Sequence, residues 1–444
     1  MLAIIGLLTI LVMLGLIMTK KMQTLLALII VPVIGCLVAG YTGVIQVKGG
    51  FTLATMSGYI TKGIQNIAPT GVMFIFAILF FGIMTDAGAF DPIISGILKV
   101  VGTDPVRIVV GTMVLASIVH LDGSGAATFL IVVPAMLPLY RKLGMQPTTL
   151  CLATALGAGI MNMLPWGGPT IRAITALNSS VDKIFNPMII PMVAGYVMGI
   201  IVCIIVGRRE KKRLGEISVD GQIELHATEL TEEQKALRRP KLFLINILLI
   251  IAAIVVLVLN ILPPAVIFML ATVLTLLINY RDIQTQKILV DSHAKEALMM
   301  ASMLFAAGSF IGIMQNSGML LAMAKGIVTL IPASMGKFIP FVVGILGTPL
   351  SLVFDPDSFY YGVMPVLSKA VSGMGLDGLN VARAAIAGQM TLGFPISPLT
   401  GSTFLLIGLA GVDLGDHQKK SFLWLWLVSI VIVVVGFIVG AVRF

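Results

Sequence analysis

The stretch Phe354-Asp355-Pro356-Asp357-Ser358-Phe359 lies inside a long, mostly apolar region of the chain. Two carboxylates in a membrane-embedded segment cost roughly 2.5–3.5 kcal/mol each on insertion scales. Pro356 prevents a continuous helix, because it lacks an N–H group and disfavours helical backbone at Asp355. Asp357 and Ser358 are residue types that cap a helix restarting after them. The stretch therefore predicts a chain that turns back at a polar tip, and such a tip needs protein or a water-filled cavity around it, which makes it a candidate binding site.

The composition predicts a polytopic membrane protein. Of 444 residues, 58% are hydrophobic and 11% charged, with a mean hydropathy of +1.06, whereas a soluble domain has about 25% charged residues. The apolar residues 1–19 follow no basic region and precede no cleavage site, so they predict a first spanning helix. The net charge of +9 comes from basic residues that flank apolar helices, so we expect no nucleic-acid partner. The three cysteines lie in separate apolar segments and predict neither disulfides nor a metal site.

Ten segments are long enough to cross a bilayer, which takes about 20 residues. They are residues 2–19, 23–45, 66–87, 148–170, 186–206, 242–262, 263–280, 297–318, 381–403 and 421–442. Two further apolar regions, 107–140 and 338–370, carry a polar break in the middle. The arms of the first would form about 22 Å of helix each, short of a hydrocarbon core of about 30 Å. Both regions are predicted to be re-entrant hairpins.

The two halves of the chain repeat. Phe80-Phe81-Gly82-Ile83-Met84 matches Phe310-Ile311-Gly312-Ile313-Met314 at a shift of 230 residues, which also carries Pro165 onto Pro395 and Thr170 onto Thr400. Each half has five crossings, one of them a broken helix, and one hairpin. An odd number of crossings inverts the second half relative to the first, as in many secondary transporters. We predict inverted repeats over 1–206 and 242–444.

Charge placement predicts the orientation. With the polar linker 207–241 in the cytoplasm, 20 of the 29 Lys and Arg residues fall on the cytoplasmic side. Both termini are then outside, the first hairpin enters from the cytoplasm and the second from outside. We expect a multi-pass protein of the plasma membrane, with the linker joining the halves without forming a domain.

The first hairpin tip reads His120-Leu121-Asp122-Gly123-Ser124-Gly125. Its glycines permit a sharp turn and a close approach of the backbone to a ligand. Asp122 and Ser124 can contact that ligand or cap the returning helix. The alternative is a polar turn that only satisfies its own backbone.

Two helices are predicted to break, over 148–175 and 381–403. The first contains Pro165-Trp166-Gly167-Gly168-Pro169 between Asn162 and Arg172, and an ordinary helix does not accept two prolines and two glycines so close together. The N–H end after a break favours anions and the carbonyl end before it favours cations. Arg172 can pair with a substrate carboxylate or extend to the interface. In the second break, hydroxyls and freed N–H groups predict an anion cradle. Arg383 is a candidate buried cation, and an ion pair near the helix end is the favoured alternative.

These patterns define the candidate site. The candidate substrate-binding residues are Asp122, Gly123, Ser124, Gly125, Asn162, Gly167, Gly168, Thr170, Arg172, Ser358, Gln389, Ser397, Thr400 and Ser402. The candidates for contacting a metal or carrying a proton are His120, Asp122, Asp355 and Asp357. The sequence contains no P-loop, HExxH motif or GxSxG elbow, so we expect a transporter and no enzyme. An intramembrane aspartyl protease is the rival hypothesis, although the order at residues 122–125 differs from D-[ST]-G.

The chain resembles the citrate–divalent metal:proton symporters of the ion transporter superfamily over nearly its whole length. The resemblance lies in residues 16–20, Asp104-Pro105, 108–112, 159–170, 356–360, 388–391 and 408–418. It is strongest in Gly159-Ile160-Met161-Asn162-Met163-Leu164-Pro165-Trp166-Gly167-Gly168-Pro169-Thr170 and Pro356-Asp357-Ser358-Phe359-Tyr360. At the first tip Ser124 stands where the family usually has a second acid, so the tip carries less negative charge.

The resemblance implies symport of citrate complexed with a divalent metal of the Mg²⁺ or Ca²⁺ type, driven by protons. The metal would travel with the substrate, so no permanently bound cofactor is expected. The resemblance also implies a scaffold domain and a transport domain in each protomer, a homodimer in the lipid bilayer, and elevator-like movement. A sodium-coupled di- or tricarboxylate transporter and a cation/proton antiporter on the same architecture are the alternatives.

Overall fold

The structure is a computed structural model, and it describes residues 1–443 except 20, 48–49, 94–95, 97–100, 216–230, 260 and 331–332. Within these ranges every regular element is a helix, which confirms the predicted all-α class. The middle of the linker, together with Lys20, Lys48 and Lys99 of the charge argument, lies outside the described residues.

The first half contains eight main helices among the described residues. They are α1 Leu2–Met18, α2 Thr24–Tyr41, α3 Leu53–Asp86, α4 Pro105–Val119, α5 Gly125–Lys142, α6 Pro147–Met161, α7 Gly168–Ala176 and α8 Ile189–Leu214. The described part of the second half contains α9 Phe243–Val258, α10 Pro264–Asn279, α11 Ile283–Asn316, α12 Met319–Leu330, α13 Ile339–Leu350, α14 Met364–Gly373, α15 Leu379–Ala385, α16 Gly401–Ala410 and α17 Leu414–Ile438. Short helical turns occupy Val181–Ile184, Glu232–Leu237 and Ala333–Gly336.

Residues 107–140 and 338–370 each fold as two helices joined by a tip. In the first, α4 passes through a 3₁₀ turn over His120–Asp122 and reverses at Gly123, whose φ is 77°. In the second, α13 ends at Leu350, and the returning arm begins as a π-helical stretch, Ser358–Val363, before α14. At the base of the first, the Lys211 ammonium hydrogen-bonds Asp104 at 2.7 Å and holds the pKa of that carboxyl below its usual value.

Both predicted broken helices are interrupted. The first stops at Met161 and resumes at Gly168. The second is more open, because α15 ends at Ala385 and α16 begins only at Gly401, with turns and one 3₁₀ segment in between.

Two helices begin much earlier than the sequence predicts. α3 and α11 were expected over 66–87 and 297–318, but they begin at Leu53 and Ile283. Thr52 and Asp282 cap these starts by accepting backbone N–H bonds from Thr55 and Thr285. The added turns carry polar residues on exposed faces, which hydropathy alone does not register as helix. The sequence analysis also does not predict α12.

α3 and α11 form the central crossing of the molecule. Each helix is 34 residues long, and the first and last residue numbers of α11 exceed those of α3 by 230, the shift of the sequence repeat. A Cβ on Gly63 would lie 2.0 Å from the Gly308 carbonyl oxygen, and one on Gly82 would lie 2.6 Å from the His293 ring. A later position in α3 therefore contacts an earlier position in α11, which means that the two equivalent helices run antiparallel. The inversion of the two complete halves remains a prediction.

The described helices form two groups by their most extensive contacts. α1 to α3 pack with α9 to α12, and α4, α5, α6 and α8 pack with α13, α15, α16 and α17. Two helices bridge the groups, because α14 packs most extensively against α12, and α7 packs against α11. Seven described helical segments are long and apolar enough to span a membrane, and five shorter apolar helices accompany them. Apart from α7 and α14, this grouping is the division that a scaffold domain and a transport domain would require, and those roles remain predictions.

We predict that Gly63→Ala destabilises the protein strongly, because the new methyl group would overlap the backbone of α11. Overpacking of this kind costs about 1–3 kcal/mol or more. Gly58→Ala on the same helix is the matched control, since a Cβ there meets nothing within 4 Å. Thermal unfolding of the purified protein in detergent measures both, and equal unfolding temperatures would contradict the close crossing.

Candidate functional site

The two tips and the two breaks meet around one cavity of about 180 Å³. It is lined by Phe74, His120, Gly123, Gly125, Asn162, Gly168, Pro169, Arg172, Pro356, Met390, Phe394, Thr400 and Ser402. Residues of both halves of the chain therefore share one site.

His120 lies in the wall of this cavity and is buried. Its Nδ1 lies 2.8 Å from the Thr128 hydroxyl, and that hydroxyl donates its own hydrogen to the Ser124 carbonyl at 2.7 Å. Nδ1 must then be the donor, which leaves Nε2 with a lone pair. Nε2 is buried and has no hydrogen-bond partner among the described residues. The nearby Asn162 amide instead donates to the Met390 carbonyl at 2.8 Å.

The other polar side chains of the first tip support its backbone. Asp122 accepts the Ser124 N–H at 2.8 Å, and the Ser124 hydroxyl accepts the Ala127 N–H at 3.2 Å as the cap of α5. Trp166 of the first break donates its indole N–H to the Leu121 carbonyl at 2.8 Å. These bonds hold the tip against the first broken helix.

The first break ends in a helix that no side chain caps. Gly167 precedes α7 without a capping side chain, and a Cβ on it would lie 2.1 Å from the Asn162 carbonyl oxygen. The Thr170 hydroxyl donates a hydrogen bond to the Met163 carbonyl oxygen at 2.7 Å and so does not cap the helix. The N-terminus of α7 therefore offers the backbone N–H of Gly168 at the cavity, since Pro169, which also lines it, has no N–H group.

Arg172 joins the two halves. Its Nε donates to Asp357 of the second tip at 2.7 Å, and the two side chains are 13% and 11% exposed. Its Nη1 also donates to the Gly168 carbonyl at 3.2 Å. Arg172 lines the cavity and is paired within the protein, so in this structure its side chain does not extend to the interface.

Asp355 caps the returning helix of the second tip. The sequence predicts Asp357 or Ser358 for this role. Asp355 accepts the backbone N–H groups of Asp357 and Ser358 at 2.9 and 3.0 Å, and the Ser358 hydroxyl at 2.6 Å. A carboxylate followed by a proline commonly bonds the N–H groups two and three residues further on. The Asp357 carboxylate is therefore available to form the ion pair with Arg172.

The second break is stabilised by hydrogen bonds between two of its own side chains and the second hairpin. The Ser397 hydroxyl donates to the Ser351 carbonyl at 2.5 Å, and Gln389 accepts the Ser351 hydroxyl at 2.6 Å. Thr400 and Ser402 line the cavity at the start of α16, which has no side-chain cap. Two uncapped helix N-termini therefore face the same space.

The structure brings together part of the predicted site. In the cavity wall lie His120, Gly123, Gly125, Asn162, Gly168, Arg172, Thr400 and Ser402. Away from the wall lie Asp122, Ser124, Gly167, Thr170, Asp355, Asp357, Ser358, Gln389 and Ser397, and the roles of all these residues towards a ligand remain predictions. The sequence analysis did not single out Phe74, Met390 or Phe394, because apolar residues within a mostly apolar segment carry no distinguishing signal.

The cavity wall contains groups of the kind that bind anions. Two helix N-termini and one guanidinium contribute positive potential, and the nearest carboxylates are engaged by backbone N–H groups or by Arg172. Within the described ranges no three His, Cys, Asp or Glu side chains are grouped so as to hold a metal ion. Arg383 lies elsewhere and pairs with Asp377 at 3.2 Å, the ion pair that the sequence favoured.

Comparison with known proteins identifies the family. The profile of the citrate transporter family CitMHS matches residues 1–393. A citrate transporter of Bacillus subtilis (strain 168) is 41% identical over 444 residues, covering 100% of both chains. A Mg²⁺/citrate complex secondary transporter of the same organism is 40% identical over 442 residues, covering 100% of this chain and 99% of the relative.

A solved structure shares the fold. The YdaH transporter of Alcanivorax borkumensis, described as having an unusual topology, matches with a TM-score of 0.63 and 12% identity. The match covers 99% of this chain and 98% of that chain.

The predicted family is confirmed by the profile and by both relatives, which are named as transporters and not as enzymes. The all-helical fold with its apolar spans is that of a multi-pass membrane protein. The chain therefore belongs to the citrate transporter family CitMHS.

Proposed function

We propose that this protein is a secondary transporter that takes up citrate complexed with a divalent metal, coupled to protons. The observation that carries the proposal is the convergence of two uncapped helix N-termini, from α7 and α16, on one cavity shared by both halves. The buried His120 nitrogen in the same wall gives that cavity a further polar group. The related Mg²⁺/citrate complex transporter supports a metal complex as the substrate.

The charges match this substrate. The carboxylates of citrate are ionised near neutral pH, so a divalent metal reduces the charge of the complex to about −1. Mg²⁺ and Ca²⁺ prefer oxygen ligands, and citrate supplies several of them. The protein then needs to recognise a weakly anionic complex, for which N–H groups at helix N-termini are suited.

Each candidate group has a proposed role. Gly168, Thr400 and Ser402 contact carboxylates from the two helix N-termini. His120 faces the metal or the coupled proton through Nε2. Asp122 and Asp355 shape the tips, since their carboxylates already accept backbone N–H groups.

The membrane arrangement completes the proposal. The protein lies in the plasma membrane with the linker in the cytoplasm and both termini outside, as a homodimer. Symport of two or more protons with a complex of charge about −1 would move net positive charge inward. Each such charge gains about 2.3 kcal/mol per 100 mV of membrane potential.

The decisive experiment measures uptake of labelled citrate into proteoliposomes across a panel of Mg²⁺, Ca²⁺, Zn²⁺ and metal-free buffer, with and without an inward proton gradient. We expect uptake only with a divalent metal, and faster uptake with the gradient. Metal-independent uptake, or uptake that requires Na⁺ at fixed pH, would overturn the proposal and favour a sodium-coupled carboxylate carrier. Proton movement without citrate would indicate an antiporter.

We predict that the residue carrying the proton can be found from pH profiles. Uptake by the wild type should rise as the external pH falls, because the proton gradient drives it. Among His120→Gln, Asp122→Asn, Asp355→Asn and Asp357→Asn, the variant that lacks the carrier should show a flat profile. Profiles unchanged in all four variants would exclude these groups as proton carriers.

We predict that Ser402→Leu reduces uptake at least tenfold without lowering the unfolding temperature, because Ser402 lines the cavity and is half-buried. Ser358→Ala serves as the contrast, since its fully buried hydroxyl donates to Asp355. Loss of that charge-assisted bond should destabilise the fold by about 1.5–3 kcal/mol. Wild-type uptake by Ser402→Leu would show that this cavity is not the transport site.

A further inference from the structure

The Arg172 guanidinium is held in one orientation by two bonds. Nε donates to Asp357 at 2.7 Å and Nη1 donates to the Gly168 carbonyl at 3.2 Å. A Cβ on Gly168 would lie 2.9 Å from Nη1, so the absence of a side chain there lets the guanidinium approach the start of α7. The guanidinium plane is thus fixed from the second tip and from its own helix.

These two bonds leave most of the donors of Arg172 unused. A guanidinium has five N–H donors in a rigid fork. Among the described residues Nη2 has no acceptor, and one Nη1 hydrogen is also free. The Arg172 side chain keeps 13% of its exposure, and Arg172 lines the cavity.

Asp357 differs from the other carboxylate of its tip. Asp355 bonds two backbone N–H groups and the Ser358 hydroxyl. The side-chain partner of Asp357 in the described structure is Arg172, which lies 185 residues away in the other half. The titratable groups that act on Arg172 besides Asp357 are Tyr361 and Asp355, which both belong to the second hairpin.

We propose that Arg172 anchors one carboxylate of the transported complex through its Nη1 and Nη2 hydrogens, and that Asp357 is the positioning residue that holds this edge toward the cavity. The inference rests on the proposed function, and it assigns Asp357 neither to the metal nor to the proton. Paired N–H donors match the two oxygens of a carboxylate. The neighbouring N-terminus of α7 adds backbone N–H groups to the same anion.

The geometry also explains why Asp357 would not repel an anionic substrate. Its charge is compensated by the guanidinium at 2.7 Å, in surroundings where both side chains are largely shielded from water. The substrate approaches from the edge opposite the Nε bond. Ligand and Asp357 can therefore share one guanidinium without competing for the same hydrogen.

The test measures KM and maximal rate of metal–citrate uptake, with metal–malate as a substrate that has one carboxylate fewer. We expect Arg172→Gln to raise the KM for citrate about 10- to 100-fold, the loss typical of charge-assisted hydrogen bonds, and to reduce the preference for citrate over malate. Asp357→Ala should raise KM in the wild-type background, and Asp357→Asn should raise it less, because the amide oxygen can still accept from Nε.

The double variant shows whether Asp357 acts through Arg172. In the Arg172→Gln background we expect Asp357→Ala to change KM no further, since the group that it positions is absent. Additive effects would overturn the inference, because Asp357 would then act on the substrate complex or proton by itself. An unchanged KM and citrate preference in Arg172→Gln would overturn the anchor.

Arg383→Gln is the matched control, because Arg383 is an equally shielded arginine whose aspartate partner lies away from the cavity. The KM of Arg383→Gln for metal–citrate should equal that of the wild type. The unfolding temperature of each variant shows whether a change in uptake results from a loss of folding. Wild-type protein without any metal–citrate uptake would overturn the proposed function and this inference together. Wild-type uptake with an unchanged KM in Arg172→Gln would overturn the inference alone.

Discussion

The structure depends on one constraint, which is that irregular backbone in an apolar environment must satisfy its hydrogen-bonding groups from within the protein. The two tips and two breaks do so by bonding one another. Trp166 reaches the first tip, Asn162 reaches the Met390 carbonyl of the other half, and Ser397 reaches the Ser351 carbonyl of the second hairpin. Four segments that could not be stable separately therefore form one body around a cavity.

This mutual satisfaction determines which groups remain for a ligand. The tips are capped by their own side chains, Ser124 in the first and Asp355 in the second, whereas the helices after the breaks have no side-chain cap. Asp122 and Asp355 thus accept backbone N–H groups and Asp357 pairs with Arg172, whereas no side chain caps the N–H groups that follow the breaks. This arrangement is the basis of the proposed anion site, although the sequence motifs at the tips are acidic.

The α3–α11 crossing lies beside this cavity and forms a frame, by which we mean the two crossed helices themselves. Two equivalent helices meet antiparallel through Gly63 and Gly312, where close backbone approach leaves no room for side chains. Small residues at such crossings allow the van der Waals contact that holds helices together in a membrane. Phe74 of α3 reaches the cavity wall, so the frame and the site are in direct contact.

The sequence by itself determined the membrane class, the positions of the tips and breaks, the family, and about half of the cavity wall, because prolines, glycines and charges in apolar segments have local consequences. The full length of α3 and α11 was missed, since polar helical turns lack an apolar pattern. Only the tertiary structure decided that Arg172 pairs with Asp357, that Ser397 and Gln389 face inward, and that Thr400 and Ser402 face the cavity. The residue type shows that a group can donate or accept, but its partner is decided by which segments, up to 228 residues apart, the fold brings together.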